Sequence, residues 1–144
     1  MQKYELYMKE VQTFDYKGTF ESAENVQKFC CEYLNLHMSD RERCYVIGAN
    51  NKGMPIGVHE LSVGGISSSI IEIPIIFKFL ITCNAPAFFL VHNHPSGDTE
   101  PSRDDIETSQ RVADASKIIG INFVDHIIIG PDKTWTSIRN KINF

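Results

Sequence analysis

The sequence predicts a three-layer α/β/α sandwich built on a mixed sheet. Two observations carry this prediction. Strand-length apolar or alternating runs at 44–49, 55–63, 87–91 and 121–129 are interleaved with longer amphipathic segments at 23–35, 74–82 and 103–118. Within that order, Ala87-Phe88-Phe89-Leu90-Val91 is continuously apolar, the signature of a central strand covered on both faces. The size agrees: 144 residues, 42% of them apolar, suit one core and one domain over 1–144.

Taken in order, residues 3–12 alternate in part and carry Tyr4, Tyr7 and Val11, which reads as a first strand. Asp15 to Gly18 is a turn. Ser22 is placed as an N-cap with Glu24 in the first turn, and Val26, Phe29, Cys30 and Tyr33 recur at helical spacing, so 23–35 is read as a helix. His37 to Arg43 is a polar loop. The run 44–49, the turn Asn50-Asn51-Lys52-Gly53 and the run 55–63 form a hairpin. Gly64-Gly65 ends it, and Ser67-Ser68-Ser69 is loop.

Pro74 suits a first helical turn, and the helix to Thr82 is apolar on most sides. Such a helix is either sandwiched in the core or buried against a partner, including a second copy of the chain. Asn84-Ala85-Pro86 breaks it before the central strand. The helix at 103–118 points Ile106, Val112, Ala113 and Ile118 toward the core, with Gly120 past its end. A strand at 121–129, the turn Gly130-Pro131-Asp132, a short strand at 134–137 and a polar tail complete the order β-α-β-β-α-β-α-β.

Composition excludes several classes. The net charge is −4 with no basic tail, which argues against direct nucleic-acid binding. No apolar stretch approaches the about 18 residues of a membrane span, and the polar opening is not a signal peptide. Cys30, Cys31, Cys44 and Cys83 show no CxxC spacing and read as small hydrophobes of a reducing cytoplasm.

The chemistry gathers at Val91 to Asp105. Side chains two apart on a strand point the same way, so His92 and His94 project in parallel from a strand end. Pro95, Gly97 and Pro101 turn the chain back, so the next helix begins near them and Asp105 can supply a third ligand. Two histidines and one aspartate leave a fourth tetrahedral position for water, the pattern of a catalytic zinc. Ser102-x-x-Asp105 is equally a near-match to a helix capping box, and both roles stay open. A hydrolase also needs a proton carrier. Glu60 shares the apolar stripe of Ile56 and Val58, where burial would raise its pKa. Periodicity leaves it open whether this is a buried base or an edge glutamate facing water.

His92-x-His94-Pro95-x6-Ser102-x2-Asp105 matches the JAMM (MPN+) metalloprotease motif, H-x-H-x7-S-x2-D, at every fixed position. HNHPSGD followed by PSRDD, the strand VDHIIIG and the late WTSIR resemble the C-terminal domain of the bacterial RadC family across Cys44 to Arg139. The resemblance implies a cytidine-deaminase-like three-layer sandwich, with zinc held by His92, His94 and Asp105. Ser102 would stabilise the oxyanion. Glu60, in HELSVGG, falls at the family's upstream catalytic glutamate. The reaction implied is attack of metal-activated water on an amide or isopeptide carbonyl of a protein substrate, with Glu60 passing the proton to the leaving amine. Asp125 and His126 also match the family text and are read as supporting or core residues.

Two departures stand out. Longer RadC proteins carry an N-terminal helix-hairpin-helix segment, for which this chain is too short. The basic-acidic pair common near the start of the helix at 74–82 is replaced by Ile75-Ile76, which favours a protein contact there. The competing reading, a DNA-repair-associated accessory protein of the RadC type, loses support from the acidic balance and the missing hairpin segment. A zinc deaminase would need a P-C-x-x-C pair, and a serine hydrolase a G-x-S-x-G elbow; neither is present.

Overall fold

The structure is a computed structural model that describes residues 1–5, 7–64 and 71–144. Its elements are α1 (Ala23–Tyr33), β1 (Arg43–Ala49), β2 (Pro55–Val63), α2 (Ile73–Thr82), β3 (Ala87–Asn93), α3 (Arg103–Ile119), β4 (Asn122–Ile129) and β5 (Trp135–Ser137), with a 3-10 turn at Leu36–Met38. Ser67 to Ser69, expected as loop, lie outside the described residues.

Local signals account for the helices. The Ser22 hydroxyl accepts from Asn25 N–H at the start of α1. Pro74 occupies the first turn of α2. α3 opens on the Ser102–Asp105 capping box and closes on Gly120, whose φ of 80° is the left-handed conformation that glycine adopts without strain.

The five strands run in the order β2-β1-β3-β4-β5. β1 is antiparallel to both β2 and β3, β3 and β4 are parallel with α3 as their crossover, and β5 is antiparallel to β4. Every residue of β3 is buried, as its continuous apolar run requires. Phe89 and Val91 join the cluster under α1 with Ile47, Ile127 and Phe29. Phe88 and Leu90 join the cluster under α2 and α3 with Val46, Leu80 and Val112. One sheet thus carries two cores, the three-layer sandwich that the sequence predicts.

Three details differ from expectation. Among the described residues of 3–12 there is no strand, and Tyr4, Tyr7 and Val11 are exposed. Alternation is a local property, whereas a strand needs a neighbour for its ladder. The following aromatics pack instead: Phe14 and Tyr16 lie edge-on to Phe29 at 5.7 and 5.1 Å. On α3, Ile118 is exposed rather than inward, because the buried stripe is Asp105, Thr108, Ser109, Val112, Ala113 and Ser116. Four of those six residues are polar, so apolar periodicity misplaced the end of the stripe. On α2, Ile76, Phe77 and Leu80 are buried while Ile75 and Ile81 face outward.

Candidate metal centre

Alternation along β3 decides which way each residue of the His-Asn-His segment points. His92 continues the row of Phe88 and Leu90 toward α3, and Asn93 lies between the histidines on the other row. His94 is one residue past the strand. Its N–H donates to Ile129 O at 2.9 Å, and its ring stays beside that of His92, with centroids 4.8 Å apart. The chain then turns at Gly97, where φ is 92°, and a main-chain bond runs from Gly97 N–H to His94 O. The turn brings Asp98 O to 2.7 Å from His94 Nδ1. A carbonyl only accepts, so Nδ1 carries the hydrogen and His94 Nε2 faces inward.

The capping box fixes the third group. Asp105 Oδ2 accepts from Ser102 N–H at 2.8 Å and from Ser102 Oγ–H at 2.7 Å, while Ser102 Oγ accepts from Asp105 N–H at 3.1 Å. Asp105 Oδ1 stands 3.2 Å from His92 Nε2, Oδ2 stands 3.5 Å from His94 Nε2, and the two Nε2 atoms are 3.0 Å apart. One donor atom from each of His92, His94 and Asp105 lies within 4.8 Å of the others. Ligands about 2.0–2.1 Å from a tetrahedral ion stand about 3.3 Å apart, so the separations and the two-nitrogen, one-oxygen donor set both fit zinc. These three residues can hold a metal ion.

The electrostatics agree. Burial alone would raise the Asp105 carboxyl, but the His92 and His94 rings beside it and the Ser102 hydroxyl outweigh that and hold the group well below its usual range. Burial lowers His92, partly offset by Asp105. The bond to Asp105 raises the half-open His94, against burial. The trio is therefore an anionic carboxylate with one imidazole kept neutral and one ready to share a proton.

Behind it runs a buried relay. His92 Nδ1 is 2.8 Å from His126 Nε2, His126 Nδ1 is 2.7 Å from Ser109 Oγ, and Ser109 Oγ–H donates to Asp105 O at 2.7 Å. Burial, and then the neighbouring His92, push His126 well below its ordinary value. Asp125 accepts from His126 N–H at 2.7 Å, Ser137 Oγ–H at 2.6 Å and Arg139 N–H at 3.1 Å, which ties the middle of β4 to the end of β5 and the chain beyond it.

Glu60 is not brought to the trio. It pairs with Tyr45 across β1, and Tyr45, like Val58, packs under α1; Cys44, paired with His92, belongs to the opposite core. The glutamate therefore shares the Val58 stripe as expected, but that stripe lies on the other side of the sheet from the histidines. Its side chain is also 36% exposed rather than buried. Glu60 Oε2 accepts from Arg43 Nη1–H at 2.9 Å and from the Tyr45 hydroxyl at 2.5 Å. Beside it lies an open groove of about 340 Å³ lined by Asn35, Met38, Ser39, Arg43 and Tyr45. Asn93 reaches to this side: Oδ1 accepts from Arg43 N–H at 2.8 Å, and Nδ2–H donates to Arg41 O at 3.0 Å.

Comparison with known proteins settles the family. The RadC-like JAB domain profile matches residues 20–143. The chain belongs to the RadC-like JAB domain family. It is 42% identical over 112 residues to a UPF0758 protein of Syntrophomonas wolfei, covering 76% of this chain and 48% of that one. A UPF0758 protein of Bacillus pumilus is 35% identical over 130 residues, 90% of this chain and 57% of that one. A third, from Desulforudis audaxviator, is 45% identical over 100 residues, 69% and 43% of the two chains. The chain thus spans about half the length of the curated relatives it matches.

Reading this RadC-like domain from its sequence reached the three residues that can hold a metal ion, their capping serine and His126. It missed Ser109, whose signal was available: it stands four residues after Asp105, one turn along the same helix face. Arg43, Tyr45 and the role of Asn93 had no local signal, because each depends on pairing across the sheet.

Proposed function

We propose that this chain is a zinc-dependent hydrolase that cleaves an amide or isopeptide bond of a protein substrate. One observation carries the reading: a buried carboxylate and two imidazole Nε2 atoms converge within 4.8 Å at the open end of a sheet. A zinc ion there would supply Lewis-acid polarisation of the carbonyl and a water acidic enough to react near neutral pH.

The chain's own residues do the remainder. His92 and Asp105 are held rigidly by burial and hydrogen bonds, so their donor atoms are set before a ligand arrives. Ser102, exposed at the helix start, keeps Asp105 in place through its N–H, and its hydroxyl, now donated to Asp105 Oδ2, would turn toward an oxyanion. Glu60 is assigned the proton transfer on its place in the sequence motif. That assignment includes rotation of its side chain away from Arg43 and Tyr45 and over the strand end. Among the described residues no helix is long and apolar enough to cross a membrane, and all four cysteines are unpaired, which supports a reducing, cytoplasmic setting.

Metal analysis of protein purified without a histidine tag tests the reading. One zinc per chain is expected, with none in His92→Ala or Asp105→Ala. Glu60→Gln is expected to keep its zinc and lose hydrolysis of a peptide or isopeptide library. Unchanged zinc in the two ligand variants removes the proposal.

A further inference from the structure

We propose that Ser109 and His126 are positioning residues that select the ring tautomer of His92, so that its Nε2 lone pair is the one offered to a metal ion. The inference rests on the metal-centre reading above and names what sets the donor.

The argument follows one proton. The Ser109 hydroxyl has a single hydrogen. Asp105 O is a carbonyl and can only accept, so at 2.7 Å it takes that hydrogen. The same Oγ lies 2.7 Å from His126 Nδ1, and with its hydrogen committed it can only accept there. His126 Nδ1 therefore carries the ring hydrogen. A neutral imidazole has one N–H, so His126 Nε2 presents a lone pair, and it faces His92 Nδ1 at 2.8 Å. His92 Nδ1 must donate. Its Nε2 is left bare, 3.0 Å from His94 Nε2, from which it accepts when that ring carries a second proton, and 3.2 Å from Asp105 Oδ1.

Run the other way, the chain would put the hydrogen on His92 Nε2 and block the ligand position. Burial guards the direction. His92, Ser109 and His126 are each 0% exposed, so bulk water does not offer either ring another partner. A metal-bound histidine commonly donates its second N–H to a carboxylate or carbonyl, which fixes tautomer and orientation. Here a neutral ring does the accepting, without adding charge behind the site. The relay also ties two ligands together: it starts on the main chain of Asp105 in α3 and ends on the ring of His92 in β3. β4 supplies the middle member, held through Asp125.

Two measurements test this. Long-range ¹H–¹⁵N spectra of the metal-free protein read the tautomers directly. Nδ1–H is expected on both His92 and His126, and Nε2–H on either overturns the proposal. Co²⁺ affinity is then measured by competition with a chromophoric chelator. His126→Leu fills the volume without an acceptor and is expected to weaken binding about 10–100-fold. His126→Gln restores an acceptor near the Nε2 position and is expected to recover most of that loss. Ser109→Ala is expected to weaken binding toward the lower end of that range and to mix the His92 tautomers.

Equal affinity in His126→Leu and the wild type overturns the proposal, as does an equal loss in the Leu and Gln variants. Thermal unfolding of each metal-free variant checks the fold. If His126→Leu does not fold, the tautomer spectra of Ser109→Ala decide. A wild type that binds neither Co²⁺ nor Zn²⁺ defeats the metal reading, while the spectra still decide the relay.

Discussion

Asp105 and Glu60 are both carboxylates held by a hydroxyl and by nitrogen donors, on opposite sides of one sheet. Asp105 has a side chain 2% exposed, with Ser102, His92 and His94 around it. Glu60 is 36% exposed, with Tyr45 and Arg43. In the first cluster water is excluded, so each hydrogen bond is strong and each missing one costly. In the second, solvent screens the pair, and its partners can be exchanged at little cost. The metal-holding role proposed for Asp105 calls for the first environment, and the proton transfer proposed for Glu60 calls for the second.

Acid should separate the two sides most. His92 and His126 are lowered by burial, so in the metal-free protein the unfolded chain protonates first at these rings. Stability should therefore fall as pH drops below about 6.5, by up to about 1.4 kcal/mol per pH unit for each ring. The depressed Asp105 acts in the same direction at lower pH. Its contribution is full above about pH 4 and is lost as pH falls through its folded value. His94 opposes: its raised value adds stability that is full below about pH 6.5 and fades as pH rises through the folded value. Denaturant unfolding of metal-free protein between pH 5 and 7.5 reads the sum. A flat profile would mean that the buried rings are not desolvated as the structure shows.

Asn93 sharpens the comparison because it sits between two ligands yet serves the other side. Asn93→Ala leaves the N–H of Arg43 without its side-chain acceptor and removes one of the two side-chain donors to the carbonyl of Arg41. The expected loss is about 1–3 kcal/mol of stability with metal affinity unchanged. A parallel fall in affinity would show that the two faces are coupled through β3.

The smallest effect should come from Arg43→Ala. Its pair with Glu60 is more than one-third exposed on both sides, so the expected change is below about 1 kcal/mol and shrinks in salt. A loss as large as that of Asn93→Ala would erase the contrast between the clusters.

Much of the site was legible because it is local. His92 and His94 are two apart on a strand, and Ser102 and Asp105 are three apart at a helix start, so strand alternation and capping geometry fix them without the rest of the chain. The helices, the hairpin and the buried central strand followed from periodicity in the same way. The supposed strand at 3–12 failed for the complementary reason: alternation is local, and among the described residues this segment lies in no ladder. The polar stripe of α3 defeated an apolar pattern because Asp105 and Ser109 are buried where the site needs them.

By itself, then, the sequence determined the trio that can hold a metal ion, its cap and the layer order, all properties of short range or simple period. The tertiary structure decided which side of the sheet Glu60 occupies and what stands behind His92. The first follows from pairing register, which shifts between Cys44 and Tyr45 as β1 meets β2; a one-residue slip moves every side chain to the other face. The second follows from the parallel pairing of β3 with β4 and the crossing of α3. These bring His92, His126 and Ser109 into one line of hydrogen bonds, though His92 and His126 stand 34 residues apart in the chain.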